Sequence, residues 1–188
     1  MNTFMPYGFC PQSVAVLDDK RLQKQLVECQ QIYDALITQS PAHILHHPAT
    51  QMWAGRVESL LLYSQWCYCE WRSRNNNKQH KSGEYLASRP EPPSTDTPPW
   101  ADDLAPFHKE RLYRKDPEHY ANLAGGQPHH AWSAYPIVSA SGAYSGKFVY
   151  RDTSGPWTVL GVQSLALCRK GYYPSATAWA AICAARSA

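Results

Sequence analysis

Residues 16–37 show the clearest separation of apolar and polar positions in the chain, and they contain no Gly or Pro. Apolar side chains recur there at steps of three and four, at Leu22, Leu26, Cys29, Tyr33 and Leu36. This spacing predicts a long helix that buries one face against a core. Asp18 is a candidate N-cap, since its carboxylate can accept free N–H groups of the first turn.

A second stripe on this predicted helix is polar along its whole length, at Arg21, Lys24, Gln25, Glu28 and Gln31. Glu28 lies one to two helical turns from two of the cations. A carboxylate among cations and amides fits a site that acts on an anionic polymer. The alternative is a solvated face with ion pairs between residues four apart.

The rest of the N-terminal two thirds is predicted to be mostly helical, after an extended segment at residues 1–12. Further helices are predicted at residues 13–17, 49–74, 100–114 and 117–123. Pro48 suits the first turn of the second long helix, and Arg72 and Arg74 suit its C-terminal end. Residues 75–99 are predicted as loop, because Pro recurs throughout R-P-E-P-P-S-T-D-T-P-P.

The composition changes after Gly125 and Gly126, and Asp152 is the only acidic residue beyond them. Two runs there favour β-strands, K-F-V-Y and W-T-V-L-G-V, and a helix of small side chains is predicted at residues 176–186. We therefore expect a mainly α protein: a helical domain at residues 1–136, and a C-terminal extension of undetermined structure at 137–188 that packs on it.

Composition narrows the class of protein only slightly. The 188 residues carry a formal net charge of +3 and include six cysteines. A mildly basic chain permits binding to nucleic acid without requiring it. The N-terminus lacks a signal-peptide pattern, and no apolar run approaches the length of a membrane span. With no C-x-x-C pair, these features predict free thiols in a cytoplasmic protein that does not enter a membrane.

Three histidines precede the second long helix: His43, His46 and His47. They could bind a metal ion, but no Cys or carboxylate accompanies them at ligand spacing. They could instead bond to the backbone of a polar loop. Contact with a phosphate, or with a base that has left the DNA stack, is the third interpretation.

Residues 106–120 combine cations with aromatic side chains. The cations are Lys109, Arg111, Arg114, Lys115 and, when protonated, His108. Interleaved with them are Tyr113 and Tyr120, and such a mixture fits a surface that follows phosphates. The alternative is an amphipathic helix whose charges only face water.

Four segments of the chain are informative in combination: N-T-F-M-P-Y, L-D-D-K-R-L-Q-K-Q-L-V-E, H-H-P-A-T-Q-M-W and H-K-E-R-L-Y-R-K-D-P-E-H-Y. In this order and at these distances they resemble the pyrimidine-dimer DNA glycosylase family, whose founding member is the endonuclease V of a T-even phage. The resemblance covers about residues 2–136. It implies a compact helical fold of the endonuclease V type, without metal or cofactor, that acts on double-stranded DNA as a monomer.

In that family the N-terminal amine attacks the sugar carbon C1′, and a glutamate on the first long helix assists. The resemblance places Glu28 at the position of this glutamate and Arg21 at that of a histidine near the helix start. Two arginines of the founding enzyme are replaced here by Val27 and Gln31. Such departures favour a different substrate from the ordinary thymine dimer.

The N-terminus also departs from the family. Asn2 is large, so Met1 is expected to stay in place, and Thr3 is then not terminal. Hydrolysis is then an alternative to the amine route, with Glu28 acting on the sugar or on a water and Asp18 or Asp19 assisting. It would leave an abasic site without strand cleavage, and the sequence does not decide between the two routes.

The sequence thus predicts a DNA N-glycosylase that extrudes and excises a damaged or bulky modified pyrimidine. Either a UV-induced dimer or a glucosylated hydroxymethylcytosine of phage DNA fits, the latter in antiphage defence. The expected catalytic residues are Glu28, Arg21 and Asp19. The expected DNA or base contacts are Asn2, Thr3, Lys24, Gln25, His46, His47, His108, Arg111, Arg114 and Lys115. A non-catalytic nucleic-acid-binding module, an enzyme acting on RNA or nucleotides, and a structural role are the alternatives.

Overall fold

The computed structural model describes residues 2–90, 97–123, 132–139, 143–152 and 158–161. The helices in these ranges are α1 Pro11–Ala15, α2 Asp19–Thr38, α3 Ala42–Leu45, α4 Pro48–Gln51, α5 Val57–Arg74, α6 Lys81–Ala87 and α7 Ala101–Lys115. A 3₁₀ helix and three strands follow, at Ala121–Leu123, β1 Trp132–Val138, β2 Tyr144–Asp152 and β3 Thr158–Gly161. The predicted mainly α class is confirmed.

Helix α2 forms as the periodicity predicted. The Asp18 carboxylate accepts the N–H of Arg21 at 2.9 Å, so the predicted N-cap is confirmed. Leu22, Leu26 and Cys29 are fully buried in the core. Helices α5 and α6 pack against α2 and supply much of that core.

The second long helix is not continuous, and its prediction at residues 49–74 was wrong in this respect. The chain forms α4, turns, and begins again as α5 at Val57. Gly55 lies in the turn with a φ of 67°, a left-handed conformation that glycine adopts without steric cost. The two segments can therefore point in different directions. Along α5, Leu60, Tyr63 and Cys67 are fully buried.

The region predicted as a long loop contains a helix, which corrects the prediction for residues 75–99. Helix α6 begins after His80, whose ring Nδ1 accepts the N–H of Gly83 at 3.4 Å. Its Leu86 is buried and its Tyr85 packs against the core, so tertiary contacts with α2 and α5 stabilise this short helix. The most Pro-rich stretch, residues 91–96, lies outside the described residues.

The third long helix is confirmed as α7, whereas the short helix predicted at 117–123 is only a 3₁₀ turn at Ala121–Leu123. The Asp116 carboxylate accepts the N–H of His119 at 3.1 Å, and this local bond favours a turn over a helical start.

The run K-F-V-Y lies in β2, and Thr158–Gly161 of the second run form β3. The sheet order is β1-β2-β3 with antiparallel pairing. Phe148 of β2 is fully buried, with its ring centre 6.3 Å from that of Phe107 on α7. The boundary predicted between residues 136 and 137 lies within β1, and the division into domain and extension stays a prediction. The helix predicted at 176–186 lies outside the described residues.

The described cysteines, Cys10, Cys29, Cys67 and Cys69, are all free thiols. Burial raises the pKa of Cys29 and Cys67, which keeps both thiols protonated and unreactive. In the part of the chain that the structure describes, no helix has both the length and the apolar character needed to cross a membrane.

Candidate active site

The N-terminal segment passes through the interior of the protein, and α2 holds it by a side chain. The amide of Gln25 donates to the carbonyl oxygen of Asn2 at 3.1 Å and accepts the N–H of Phe4 at 2.8 Å. Gln25 is fully buried, and its side-chain amide pairs with these two backbone groups as the backbone of a neighbouring β-strand would. The backbone of residues 2–4 is therefore fixed relative to α2.

Two other helices hold the same segment. The Tyr63 hydroxyl of α5 donates to the carbonyl oxygen of Phe4 at 2.7 Å, and the N–H of Met5 donates to Nδ1 of His108 on α7 at 2.8 Å. His108 is buried, and burial is the main reason that its pKa falls to about 3. It therefore stays neutral and acts as a hydrogen-bond acceptor.

Glu28 lies where this clamped segment meets α2. Its Oε2 accepts the backbone N–H of Asn2 at 2.9 Å, and its Oε1 lies 3.8 Å from Nζ of Lys24. The Glu28 side chain is only 8% exposed, whereas that of Lys24 is 69% exposed. The carboxylate is thus held by a backbone N–H, with an exposed cation near its other oxygen.

A cavity of about 230 Å³ opens at this carboxylate, and we call it the Glu28 cavity. The described residues that line it are Asn2, Phe4, Lys20, Arg21, Lys24, Gln25, Glu28, Arg111 and Lys115. Five of these nine are Lys or Arg and one is acidic, so the cavity has a positive rim around a single carboxylate. This distribution of charge fits an anionic ligand with a reacting group at Glu28.

Arg21 is fixed at the rim by contacts from two helices. Its guanidinium donates to the Asp18 carboxylate at 3.2 Å and to the carbonyl oxygen of Lys115 at 3.1 Å. Burial opposes ionisation of Asp18, but hydrogen bonds from the Tyr120 hydroxyl and from Arg21 outweigh it and lower its pKa. Asp18 therefore stays charged and keeps Arg21 in place.

Lys115 shows the excess of positive charge directly. Its pKa is lowered, first by burial and then by the neighbouring cations Arg111, Arg21 and Lys24. Arg111 lies beside the wall of the cavity, with its guanidinium carbon 5.9 Å from the ring centre of Phe4. A bound phosphate would relieve the repulsion among these four cations.

The structure brings seven of the predicted site residues together at the Glu28 cavity: Asn2, Arg21, Lys24, Gln25, Glu28, Arg111 and Lys115. They come from the N-terminal segment, α2 and α7. The other predicted residues, whose roles stay predictions, are not among the described residues that line it: Thr3, Asp19, His46, His47, His108 and Arg114.

Two of the predicted residues that do not line the cavity, Thr3 and His108, are buried and contact the core. The hydroxyl of Thr3 accepts the indole N–H of Trp53 at 3.0 Å, and Thr3 is fully buried. His108 holds the N–H of Met5, as described above. Their contacts fix the N-terminal segment behind the cavity.

Three others lie at the ends of helices. His47 caps α4 through Nδ1, which accepts the N–H of Ala49 at 3.0 Å, as the interpretation of a backbone-bonded imidazole expects. Asp19 is exposed, with its carboxylate 3.2 Å from the guanidinium of Arg74. His46 is exposed at the end of α3.

Sequence reasoning missed two residues of the wall. Lys20 lies four positions before Lys24 on α2, so helical spacing alone could have added it to the cationic rim. Phe4 could not be predicted as a wall residue from the sequence. Its position depends on the hydrogen bonds that hold the N-terminal segment, which we call the clamp. Among the described residues, no group of three or more His, Cys, Asp or Glu could hold a metal ion.

Comparison with known proteins supports the family that the sequence suggested. The model of the pyrimidine dimer DNA glycosylase family matches residues 1–82, which include Asn2, Glu28 and the cationic rim of α2. The resemblance is therefore confirmed over these residues, while Arg111 and Lys115 lie beyond the match. No curated protein and no solved structure matches the chain.

Proposed function

From the match of residues 1–82 to the pyrimidine dimer DNA glycosylase family, we propose that this protein is a DNA N-glycosylase that excises a pyrimidine base. The observation that carries the proposal is the position of Glu28. It is a buried carboxylate, fixed by the N–H of Asn2, at the base of a cavity whose rim is cationic. A carboxylate in this position can stabilise the positive charge that develops on the sugar, and cations around it can hold the phosphates on either side.

The cations of the rim bind the sugar-phosphate backbone on either side of the target nucleotide. Lys24 and Lys20 approach from α2, and Arg111 and Lys115 from α7, so a strand that crosses the cavity contacts both helices. Their binding energy offsets the few kcal/mol needed to unstack and unpair the target base. Arg21, held by hydrogen bonds to Asp18 and to the carbonyl oxygen of Lys115, provides a contact in a fixed position.

Glu28 then assists the chemical step at the sugar. The bond between C1′ and the base breaks as positive charge develops on the sugar ring, and the carboxylate stabilises that charge or accepts a proton from the attacking water. The water oxygen forms the new bond to C1′, and a proton from that water passes to the leaving base. The product is an abasic site in an uncut strand.

The nitrogen of Asn2 distinguishes this route from the amine route of the family. As a peptide N–H it donates to Glu28 and orients the carboxylate. As a free α-amine in the same place it would lie within 2.9 Å of a general base and could attack C1′ itself. Because this nitrogen is a peptide N–H that donates to Glu28, we propose hydrolysis. Met1 lies outside the described residues.

The proposed substrate is a damaged or bulky modified pyrimidine. A UV-induced dimer and a glucosylated hydroxymethylcytosine are the two candidates. Val27 and Gln31 stand where the founding enzyme of the family has arginines, and Val27 is 40% exposed. The loss of these two charges weakens contact with the DNA beside the lesion and favours a modified single base over a dimer.

The test is a base-release assay on four DNAs: untreated plasmid, UV-irradiated plasmid, and phage DNAs carrying hydroxymethylated or glucosylated cytosine. Released bases are identified by mass spectrometry, and strand breaks are compared with and without alkali. Release with alkali-dependent breaks is expected. Breaks without alkali that borohydride traps would replace hydrolysis by the amine route. No release from any DNA would refute the glycosylase and leave a binding module.

Glu28→Gln provides the test of the catalytic residue. The new amide oxygen can still accept the N–H of Asn2, so folding is preserved, but the charge at C1′ is lost. Base release should fall about 100–10,000-fold, while affinity for DNA stays within a few-fold. Glu58→Gln, at an exposed position in the first turn of α5, is the matched control. Full activity of Glu28→Gln would remove Glu28 from the mechanism.

A further inference from the structure

A hydroxyl group from the β-sheet holds Arg111 at the Glu28 cavity. The Nη1 of Arg111 donates to the Tyr135 hydroxyl oxygen at 3.4 Å, and the guanidinium carbon lies 5.9 Å from the ring centre of Phe4. Tyr135 belongs to β1, whereas Arg111 belongs to α7. The hydrogen bond therefore connects a cation of the cavity wall with the sheet.

The Tyr135 side chain is itself held by its surroundings. It is 2% exposed, and its ring centre lies 5.8 Å from that of His47, with the two rings nearly perpendicular. Its backbone pairs with Val149 in the ladder of β1 and β2. The neighbouring Phe148 packs against Phe107 of α7. The position of the hydroxyl is therefore set by packing against α4, α7 and β2.

The partner of Arg111 is neutral, unlike the partners of three other arginines. The guanidinium groups of Arg21, Arg74 and Arg114 each lie within 3.6 Å of a carboxylate oxygen. A carboxylate would offset much of the charge that attracts a phosphate, whereas a tyrosine hydroxyl is uncharged at neutral pH. The bond to Tyr135 uses one of the five N–H donors of Arg111, so the others stay available for a ligand.

Resting on the glycosylase function proposed above, we propose that Tyr135 is a positioning residue that holds Arg111 for contact with a phosphate of the bound DNA. An arginine side chain loses rotamer freedom when it binds, and the bond to Tyr135 removes part of that freedom in advance. Contact between a guanidinium and a phosphate also depends on their relative orientation. The sheet, which lies beyond the matched residues 1–82, thus takes part in the site.

Two variants that each lose one hydroxyl group separate this role from a structural one. Tyr135→Phe removes the partner of Arg111 and keeps the packed ring. Tyr144→Phe is the matched control, because the Tyr144 hydroxyl of β2 donates to the Asp103 carboxylate of α7 at 3.1 Å. Each variant loses one hydrogen bond between the sheet and α7, but only Tyr135 contacts a residue of the cavity wall. A general weakening of the sheet would affect both variants alike.

NMR of isotope-labelled arginine side chains tests the positioning without DNA. The Nε–H signal of Arg111 is assigned as the one that disappears in Arg111→Ala. Its order parameter, which reports motion on the picosecond-to-nanosecond timescale, should fall in Tyr135→Phe. It should keep its wild-type value in Tyr144→Phe.

Fluorescence anisotropy tests the consequence for DNA binding. The Kd for duplex DNA should rise about 2–13-fold in Tyr135→Phe, the effect of one lost hydrogen bond, and stay unchanged in Tyr144→Phe. In the Arg111→Ala background, Tyr135→Phe should cause no further loss of affinity, because the hydroxyl acts through Arg111.

The inference is overturned if either the order parameter or the Kd keeps its wild-type value in Tyr135→Phe, or if Tyr144→Phe changes both equally. A loss of affinity that persists in the Arg111→Ala background would also overturn it, since the hydroxyl would then act without Arg111. None of these results decides the glycosylase function, which the base-release assay tests. Conversely, the expected effects of Tyr135→Phe without base release from any DNA would refute the glycosylase and leave Tyr135 as a positioning residue of a DNA-binding module.

Discussion

Gln25 gives the sharpest test of how the N-terminal segment is held, because its one side chain pairs with two backbone groups of that segment. The substitution is Gln25→Ala. It removes the donor to the carbonyl oxygen of Asn2 and the acceptor for the N–H of Phe4, and both groups lie in the buried interior. The Tyr63 hydroxyl keeps its other partner, the carbonyl oxygen of Phe4.

The expected loss of stability follows from these two orphaned backbone groups. An unsatisfied buried donor or acceptor costs about 1–3 kcal/mol, so two of them cost about 2–6 kcal/mol. Folded domains are typically stable by only about 5–15 kcal/mol, and the variant should therefore be close to unfolding. Gln31, six residues further along the same polar stripe, is exposed and serves as the matched control. Gln31→Ala should change stability by about 0.5 kcal/mol or less.

Urea unfolding followed by tryptophan fluorescence measures both variants. The chain has seven Trp, and the fully buried Trp53 has its ring centre 6.2 Å from that of Tyr63, so the signal reports on the region of the clamp. The dependence on urea should keep its slope, since the surface exposed on unfolding is nearly unchanged. A loss below about 1 kcal/mol for Gln25→Ala, or equal losses for the two variants, would refute the reasoning.

Two further predictions concern charge. Arg111→Ala and Lys115→Ala should each reduce by about 0.9 the slope of log affinity for duplex DNA against log salt concentration, measured by fluorescence anisotropy. Lys81→Ala, at an exposed position on α6, is the control and should leave the slope unchanged. Slopes equal to that of the wild type for Arg111→Ala and Lys115→Ala would exclude phosphate contact by these residues. Burial lowers the pKa of His108 to about 3, so below about pH 6.5 the unfolded chain gains a proton that the folded chain does not, and stability falls. His108→Asn, whose oxygen can accept the N–H of Met5, should lose about 2 kcal/mol less between pH 7 and pH 5 in urea titrations; equal losses would contradict this.

The polar stripe of α2 shows what the sequence could reveal about the site and what it could not. Spacing correctly grouped Glu28 with Lys24, because residues four apart on a helix are neighbours whatever the fold. It could not separate Gln25, which is buried, from Gln31, which is exposed. The difference arises from the N-terminal segment, whose position depends on side chains far away in the chain.

His108 illustrates the same limit in the basic segment. The sequence shows an imidazole among cations, which fits contact with phosphate, but α7 turns this side chain inward onto Met5. The break between α4 and α5 occurs at Gly55, which has a positive φ. A single glycine in a helical pattern is not enough to predict a turn, so the sequence indicated one continuous helix. Helix α6 was not predicted, because the Pro-rich residues that follow it favoured a loop for the whole of residues 75–99.

The hydrogen bonds that hold the N-terminal segment also set an order of events during synthesis. The segment cannot complete its contacts until α7 has been made, because the N–H of Met5 pairs with a residue 103 positions later. At about 5–20 residues per second, that partner is made roughly 5–20 s afterwards. The Glu28 cavity takes its walls from the N-terminal segment, α2 and α7, so it is completed only after α7 has left the ribosome.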